Sequence, residues 1–401
     1  MWPFSRKERP LDRAAFAALF EERLRAAGEQ RPIARDMQAF ALVVGDGALR
    51  IFLGNHLDEY NAAARPAREA LLARAVRTAA RPLEIPPSFA AALPALLPRL
   101  RMRVFHEFLR LRADAGGPAI PEIPFRIVAN HFAASLAYDG PDSVAAIAGS
   151  KLEEWNVGFE AALAAALANL ERRSGGKWEK PMRGVLCSPW HDDHDAARLL
   201  LVDLVRGLGL KGDPVAMIPS QNQLLLAGSD DPEGLASMAN LAGKSLQKPR
   251  AMSGVAIRLS GREWAPFTPA EGSPVAWGLR AFALHSLSQE YAEQKELLEA
   301  RFAARKEDVY VAGLMLIRSK DSDRVSTLTT WTEGVEAFLP EAEAIGFMKV
   351  TGVEKAEMRG MVPWARAAAV LGNAMKPEGF YPARFRVCGF PTEGQFEEMG
   401  L

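Results

Sequence analysis

Only two cysteines, Cys187 and Cys388, occur in 401 residues, and neither sits in a Cys-x-x-Cys pair or beside a histidine. That excludes a zinc ribbon and a disulfide framework, and it suits a reducing compartment. Both thiols are expected to be buried small hydrophobes. Long apolar runs are missing too. The Ala-rich stretch Phe159–Leu170 is flanked by charge and falls short of the roughly 20 apolar residues that cross a bilayer. The opening Met1-Trp2-Pro3-Phe4-Ser5-Arg6-Lys7-Glu8-Arg9-Pro10 lacks the apolar stretch of a signal peptide. The expectation is a cytoplasmic protein with no membrane span, whose Trp2 and Phe4 belong to a frayed terminus.

An excess of one charge is absent: 49 Lys and Arg balance 49 Asp and Glu. The distribution is uneven, however. Residues 1–112 hold 19 Lys and Arg against 12 Asp and Glu, a net of +7, concentrated at Arg99, Arg101, Arg103, Arg110 and Arg112. The expectation is a solvated helix face; the alternative is a face turned to an anionic partner or to the acidic remainder of the chain. No RNP-type aromatic motif, zinc finger or helix-turn-helix pattern accompanies them, so no nucleic acid is expected. Also absent are GxxxxGK[ST], GxSxG, HExxH and a dinucleotide fingerprint.

What is present is an ordinary globular composition, 49% hydrophobic and 24% charged, long enough for two or three domains. Phe16, Leu19, Phe20 and Leu24 space a helix over 11–27, with Asp12 as its cap and Leu11 stapled to Phe16. Ala39–Val44 and Ala48–Leu53 form a hairpin at Gly45-Asp46-Gly47. A helical stretch from Asn55 to about Ala80 breaks near Pro66. Residues 82–98 read as a proline- and alanine-rich connector with a short helix from Ser88, and Arg101–Arg112 as a helix. Gly116-Gly117-Pro118 marks a boundary. Beyond it come a strand at Phe132–Tyr138, the turn Asp139-Gly140-Pro141-Asp142, and helices at 151–155 and 159–173. A strand at Arg183–Ser188 and a helix at Ala196–Leu208 follow. The pair Pro214–Ile218 and Gln223–Ala227 leads to a helix opened by Pro232, then strands at 254–259 and 262–267.

The last section opens with a helix over Val275–Arg305, with Leu279, Phe282, Leu287, Tyr291, Leu298 and Phe302 as its buried stripe. The apolar run Val309–Ile317 reads as a central strand, with further strands at 326–331, 345–350 and 384–387. Trp264, Trp277, Trp331, Trp364, Tyr310 and Tyr381 are expected mostly in the core. Runs of helices beside runs of strands predict an α+β class, with mixed and antiparallel sheets packed with helices in two or three modules. The expected divisions are 1–115, 116–250 and 251–401.

The order of features from 123 to 247 is distinctive. Leu136-Ala137-Tyr138-Asp139-Gly140-Pro141-Asp142-Ser143 precedes Trp155-Asn156-Val157 and Ala168-Asn169-Leu170. Asp195-Ala196-Ala197-Arg198-Leu199-Leu200 and Ile218-Pro219-Ser220-Gln221-Asn222-Gln223-Leu224 follow. This order resembles the bacterial YtpQ-like family, a domain of unknown function, and the similarity extends back to the hairpin at 39. Gln221 and Asn222 stand where that family's pattern continues with Arg-Asp. The resemblance implies a cytoplasmic bacterial protein and brings no activity with it.

The densest set of potential ligands is His191-Asp192-Asp193-His194-Asp195. Imidazole and carboxylate bind divalent metals such as zinc. On a helical turn, His191 and His194 would face one way, with Asp195 beside them and Asp139, Asp142 or His131 as further ligands. The plainer expectation is that one Asp caps the helix starting near Ala196 and the histidines are loop residues. Asp139 and Asp142 flank a Gly-Pro turn and are also candidates for paired acid–base work. Gln221 and Asn222 are either a polar pocket edge or a short turn. The function expected is binding another macromolecule, a second protein above all, with no enzyme activity and no cofactor. The alternative is a metal-dependent hydrolase using 191–195.

Overall fold

The computed structural model describes residues 10–37, 39–45, 49–80, 83–114, 121–141, 143–270, 272–318, 325–352 and 355–401. Asp142, the turn residues Asp46 and Gly47, Gly116-Gly117-Pro118, and the N-terminal Trp2, Phe4, Arg6, Lys7 and Arg9 lie outside them.

The front of the chain comprises α1 (Arg13–Ala26), β1 (Ile33–Asp36), β2 (Ala41–Val44), β3 (Leu49–Phe52), α2 (Gly54–Ala62) and α3 (Arg65–Ala80). Asp12 caps α1, its Oδ1 accepting from the Ala15 N–H at 2.8 Å. Phe16, Phe20 and Leu24 are buried against Leu42, Val44 and Val76. Each stabilises the fold by about 1.5–3 kcal/mol. The 39–53 hairpin is an antiparallel β2–β3 pair, to which β1 adds a third strand.

The next elements are α4 (Phe89–Ala92), β4 (Leu96–Met102), α5 (Arg103–Asp114), β5 (Phe125–Val128), β6 (Phe132–Asp139), β7 (Val144–Ala146), α6 (Gly149–Glu154) and α7 (Phe159–Arg172). The end of the expected connector is a strand: β4 pairs with β6 from Leu96↔Tyr138 to Met102↔Phe132. Arg99 and Arg101 therefore lie on a strand rather than on one solvated helix face with Arg103, Arg110 and Arg112. Burial, joined by nearby arginines and opposed by Asp193, lowers the pKa of both. Two of the front-third guanidiniums meet the acidic remainder: Arg74 pairs with Asp193 at 3.3 Å and Arg112 with Glu293 at 2.5 Å.

A six-stranded antiparallel sheet comes next. Its elements are β8 (Glu179–Met182), β9 (Val185–Cys187), α8 (Val202–Arg206), β10 (Pro214–Ser220), β11 (Gln223–Gly228), α9 (Pro232–Leu246), β12 (Ala256–Ser260) and β13 (Glu263–Pro266). The strand order is β13-β12-β10-β11-β9-β8. Pro232 opens α9 as expected, and Asp231 caps it. The predicted 196–208 helix is instead a 3-10 turn at Ala196–Leu200 followed by α8. Leu201 separates them, with φ −82° and ψ 73° outside the helical region.

The last part holds α10 (Ala276–Arg305), β14 (Tyr310–Val311), β15 (Met315–Arg318), β16 (Val325–Thr332), β17 (Ala337–Pro340), β18 (Ala344–Gly352), β19 (Lys355–Pro363), α11 (Trp364–Leu371), β20 (Met375–Pro377), β21 (Arg384–Val387) and α12 (Glu393–Met399). The apolar run 309–317 is no central strand. It divides at 312–314 into β14 and β15, each at the edge of a different four-stranded sheet, and Met315, Leu316 and Ile317 are exposed. Cys187 is buried as expected, whereas Cys388 is exposed. Trp264 and Trp331 are buried, but Trp277 and Tyr310 are exposed.

The class is α+β. The pairings β4–β6 and β10–β12 run across residues 115/116 and 250/251, so the expected divisions fall inside hydrogen-bonded sheets. Helix α10 then ties the chain together. Its start packs on the six-stranded sheet through Leu279, and its end packs through Leu298 and Phe302 against α5, Val311 and Phe338.

Candidate functional site

Two polar centres stand out, and the first contains the His/Asp cluster. Residues 191–195 do not form a helical turn, because His191 and Asp193 take left-handed backbone angles, φ 50° and 64°. The two histidines consequently diverge. His191 is exposed, with Nδ1 facing the Asn222 carbonyl at 3.2 Å. His194 is buried, with Nδ1 at 3.1 Å from the Pro98 carbonyl and Nε2 at 3.7 Å from Asp139 Oδ1. His194 and Arg173, which donates to Asp139 at 2.7 Å, hold the Asp139 carboxyl below the usual carboxylate range.

Asp195 occupies the capping position, but its side chain does not cap. Its Oδ2 accepts the Asp192 N–H at 3.1 Å, while its buried Oδ1 finds no partner. Asp192 in turn grips Arg198 through both oxygens, each at 2.8 Å. Arg198 is fully buried, donates to Ser174 Oγ at 3.0 Å and stacks 4.0 Å above the Trp190 ring. Burial alone would raise the Asp192 carboxyl, but this pair and the His194 N–H bring it below its ordinary value.

Gln221 and Asn222 form the β10–β11 turn, flanked by the pair Ser220↔Gln223. The Gln221 side chain accepts from Arg99 at 3.1 Å, and its carbonyl accepts the Ala196 N–H. The structure thus brings Asp139, His194, Gln221 and Asn222 to the 191–198 loop as tethers. Among the described residues, no group of three or more His, Cys, Asp and Glu side chains is placed to hold a metal ion. His131, offered as a possible further ligand, belongs elsewhere.

The second centre lies on α10 and was not anticipated. Ser286, Glu290 and Gln294 sit four residues apart, in the row that continues into Leu298 and Phe302, and all three are buried. Ser286 Oγ accepts the Gly254 N–H at 3.0 Å. Gln294 donates to the Pro382 carbonyl at 2.8 Å and accepts from the buried Arg384 at 2.6 Å. Glu290, only 5% exposed, has no hydrogen-bond partner on either carboxyl oxygen.

His131 Nε2 lies 3.7 Å from Glu290 Oε1, longer than a hydrogen bond. Burial, with Glu293 adding repulsion, pushes the Glu290 carboxyl up to about 8. Burial pushes His131 down to about 4. Neither group is charged at pH 7, so their proximity is not an ion pair. His131 instead makes a 2.6 Å hydrogen bond to Ser253 Oγ and faces the Tyr381 hydroxyl at 3.3 Å. Ser253 has no exposed surface, and its Oγ also accepts the Val255 N–H. This Ser–His pair is sealed into the scaffold.

Glu290 is among the residues lining a cavity of about 470 Å³, its two oxygens themselves covered. The end of α9 supplies Leu246 and Gln247, the segment after it Met252, and the β4–α5 junction Met102 and Val104. Helix α10 supplies Ala281, Phe282, His285, Gln289, Glu290 and Glu293. This volume falls in the range that holds small organic ligands. A second cavity, beside Phe16, His56 and Tyr60, has about 10 Å³ and holds at most one water.

A signal for this site was present in the sequence: stepping back by fours from Phe302 and Leu298 reaches Gln294, Glu290 and Ser286. That the row faces the interior depends on contacts distant in the chain.

Set against known protein families, curated proteins and solved structures, the chain matches none. Among the described residues, no helix is long and apolar enough to cross a membrane.

Proposed function

We propose that this chain is a non-catalytic binding protein that holds a small organic molecule in the cavity between α9 and α10. The observation that carries the reading is Glu290, a carboxyl group with both oxygens unpartnered on the wall of a 470 Å³ cavity. Leaving a buried polar group unmatched costs about 1–3 kcal/mol, and a carboxyl with a strongly raised pKa lining a cleft is a candidate functional group. The apolar walls would take the body of the ligand and Glu290 its polar head. The test is a fragment screen by ligand-observed NMR on the wild type and on Ala281→Trp, which fills the cavity. Hits lost in Ala281→Trp support the reading. Hits that persist in a folded Ala281→Trp, or an absence of hits in the wild type, refute it.

A second reading, binding of another protein, is favoured by the outer face of the β15-β16-β18-β19 sheet. The register places Met315 and Ile317 on the same face as Gly346, Met358 and Met361, and all but the glycine are exposed. Flexible methionines on an exposed face suit a protein contact. Strand β15 is an edge, and the partner inferred is a second copy of the chain. Antiparallel β15–β15 pairing about a two-fold axis would meet apolar side chains with their own kind. Sedimentation velocity is expected to show a concentration-dependent dimer abolished by Ile317→Lys. A wild type that stays monomeric at all concentrations contradicts this reading.

A further inference from the structure

The α9–α10 cavity has a charge character that narrows its ligand. Among the described residues, two carboxyl groups, Glu290 and Glu293, line it, and no Lys or Arg does. Glu293 is already matched by Arg112, whereas Glu290 has nothing. The Phe282 ring and the thioethers of Met102 and Met252 complete a wall that attracts cations weakly and carbon strongly. We propose that the cavity takes an organic cation, a primary ammonium on an apolar body, with the ammonium seated against the Glu290 carboxylate. The inference rests on the reading of the cavity as a ligand site and specifies its chemistry.

A turn of the Glu290 side chain, whose oxygens are covered as they stand, would bring the carboxylate within about 3 Å of an ammonium in the cavity and give it an opposite charge. Seating it also has a protonic consequence. In the empty protein Glu290 holds its proton up to about pH 8. The ligand keeps its own proton, and Glu290 releases one to solvent as the ion pair forms. The other titratable groups facing Glu290 are His131 from the segment before β6, Tyr381 from the segment before β21, and Tyr291 and Glu293 on α10 itself. The His131 pKa, at about 4, keeps it neutral throughout the window used here, and burial raises both tyrosines beyond it. Glu293, paired with Arg112, and His285, which faces Gln289 at 3.1 Å, are the remaining ionisable groups at the cavity. Loss of the proton release in Glu290→Gln would assign it to Glu290 rather than to His285.

Three near-isosteric probes separate the possibilities: tryptamine as cation, tryptophol as neutral alcohol and indole-3-acetate as anion. Isothermal titration between pH 6 and 9, in buffers of different ionisation enthalpy, would measure affinity and proton release for the wild type, Glu290→Gln and Ala281→Trp. Tryptamine is expected to bind most tightly, with affinity rising about tenfold per pH unit from pH 6 and levelling near pH 8. Close to one proton is released per ligand at the low end. Glu290→Gln is expected to remove both the preference and the pH dependence while still binding tryptophol. If tryptophol or indole-3-acetate equals or exceeds tryptamine, and Ala281→Trp abolishes binding, the cation assignment is overturned and the cavity stands as a ligand site. If no probe binds, or Ala281→Trp leaves binding unchanged, both fall together.

Discussion

Arg198 and Glu290 are both buried ionisable side chains, and the chain treats them in opposite ways. Arg198 is enclosed by Asp192, Ser174, the Arg173 carbonyl and the Trp190 ring, so its guanidinium is matched at each nitrogen. Glu290 lines a cavity with neither of its covered oxygens matched. A matched buried charge fixes one conformation and offers nothing to a ligand. An unmatched one stays neutral, destabilises the empty protein when it ionises, and gains a partner only from outside. By this contrast Glu290, unmatched at both oxygens and lining a cavity, is a better candidate than 191–195, where Asp195 lacks a partner on Oδ1 alone.

The comparison breaks most forcefully at Arg198. Arg198→Ala would leave Asp192 without its partner and remove the stack on Trp190. Because Asp192 is partly exposed, the expected destabilisation, by urea titration, is roughly 2–3 kcal/mol, chiefly from the lost hydrogen bonds and packing of the buried guanidinium. A loss under about 1 kcal/mol would show that the network around residues 191–198 is not structural.

The counterpart is a pH dependence at Glu290. Its pKa is raised from 4.5 to about 8 on folding, so the folded state binds the proton more tightly. The stability this group contributes is complete below pH 4.5 and is lost as pH rises through 8, at up to about 1.4 kcal/mol per pH unit in between. His56, His106 and His131, each pushed down to about 4 by burial, act with the opposite sign: their contribution is complete above 6.5 and lost as pH falls through 4. Comparing the wild type with Glu290→Gln cancels the histidines. The variant is expected to gain on the wild type steadily from pH 5 to pH 8. Parallel stability curves would contradict the assignment.

The smallest effect is expected at His191. It is exposed and makes one contact, to the Asn222 carbonyl, so His191→Ala should cost under about 1 kcal/mol. A loss of several kcal/mol in a thermal melt would mean that the loop depends on it as on Arg198.

Local chemistry was readable along much of the chain. Asp12 at the start of α1, Pro232 opening α9, and the alternating β2–β3 and β12–β13 pairs each carry their own signal within a few residues. The failures share a cause. Strand β4 was hidden by Pro98 and by arginines that look like surface residues until β6 pairs beside them. The run at 309–317 is apolar enough for a sheet centre, but its division at 312–314 turns it into two edges. Residues 191–195 were identified, yet their geometry depends on Pro98, Asp139, Asn222 and Arg198. Glu290 fell outside the predicted apolar stripe of α10 because a glutamate beside that stripe reads as solvent-facing. Its row on α10 is held inward by segments more than 30 residues away in sequence, which Ser286 and Gln294 contact at Gly254 and Pro382.

The central claim is that Glu290 is a neutral acid in the empty protein. The most direct measurement is a carboxyl carbon NMR titration of glutamate-labelled protein, with the Glu290 resonance assigned by its disappearance in Glu290→Gln. A midpoint near pH 8 is expected. A midpoint near 4.5 would mean that the carboxylate is already matched or hydrated, and the cavity would lose the group that marks it as a site.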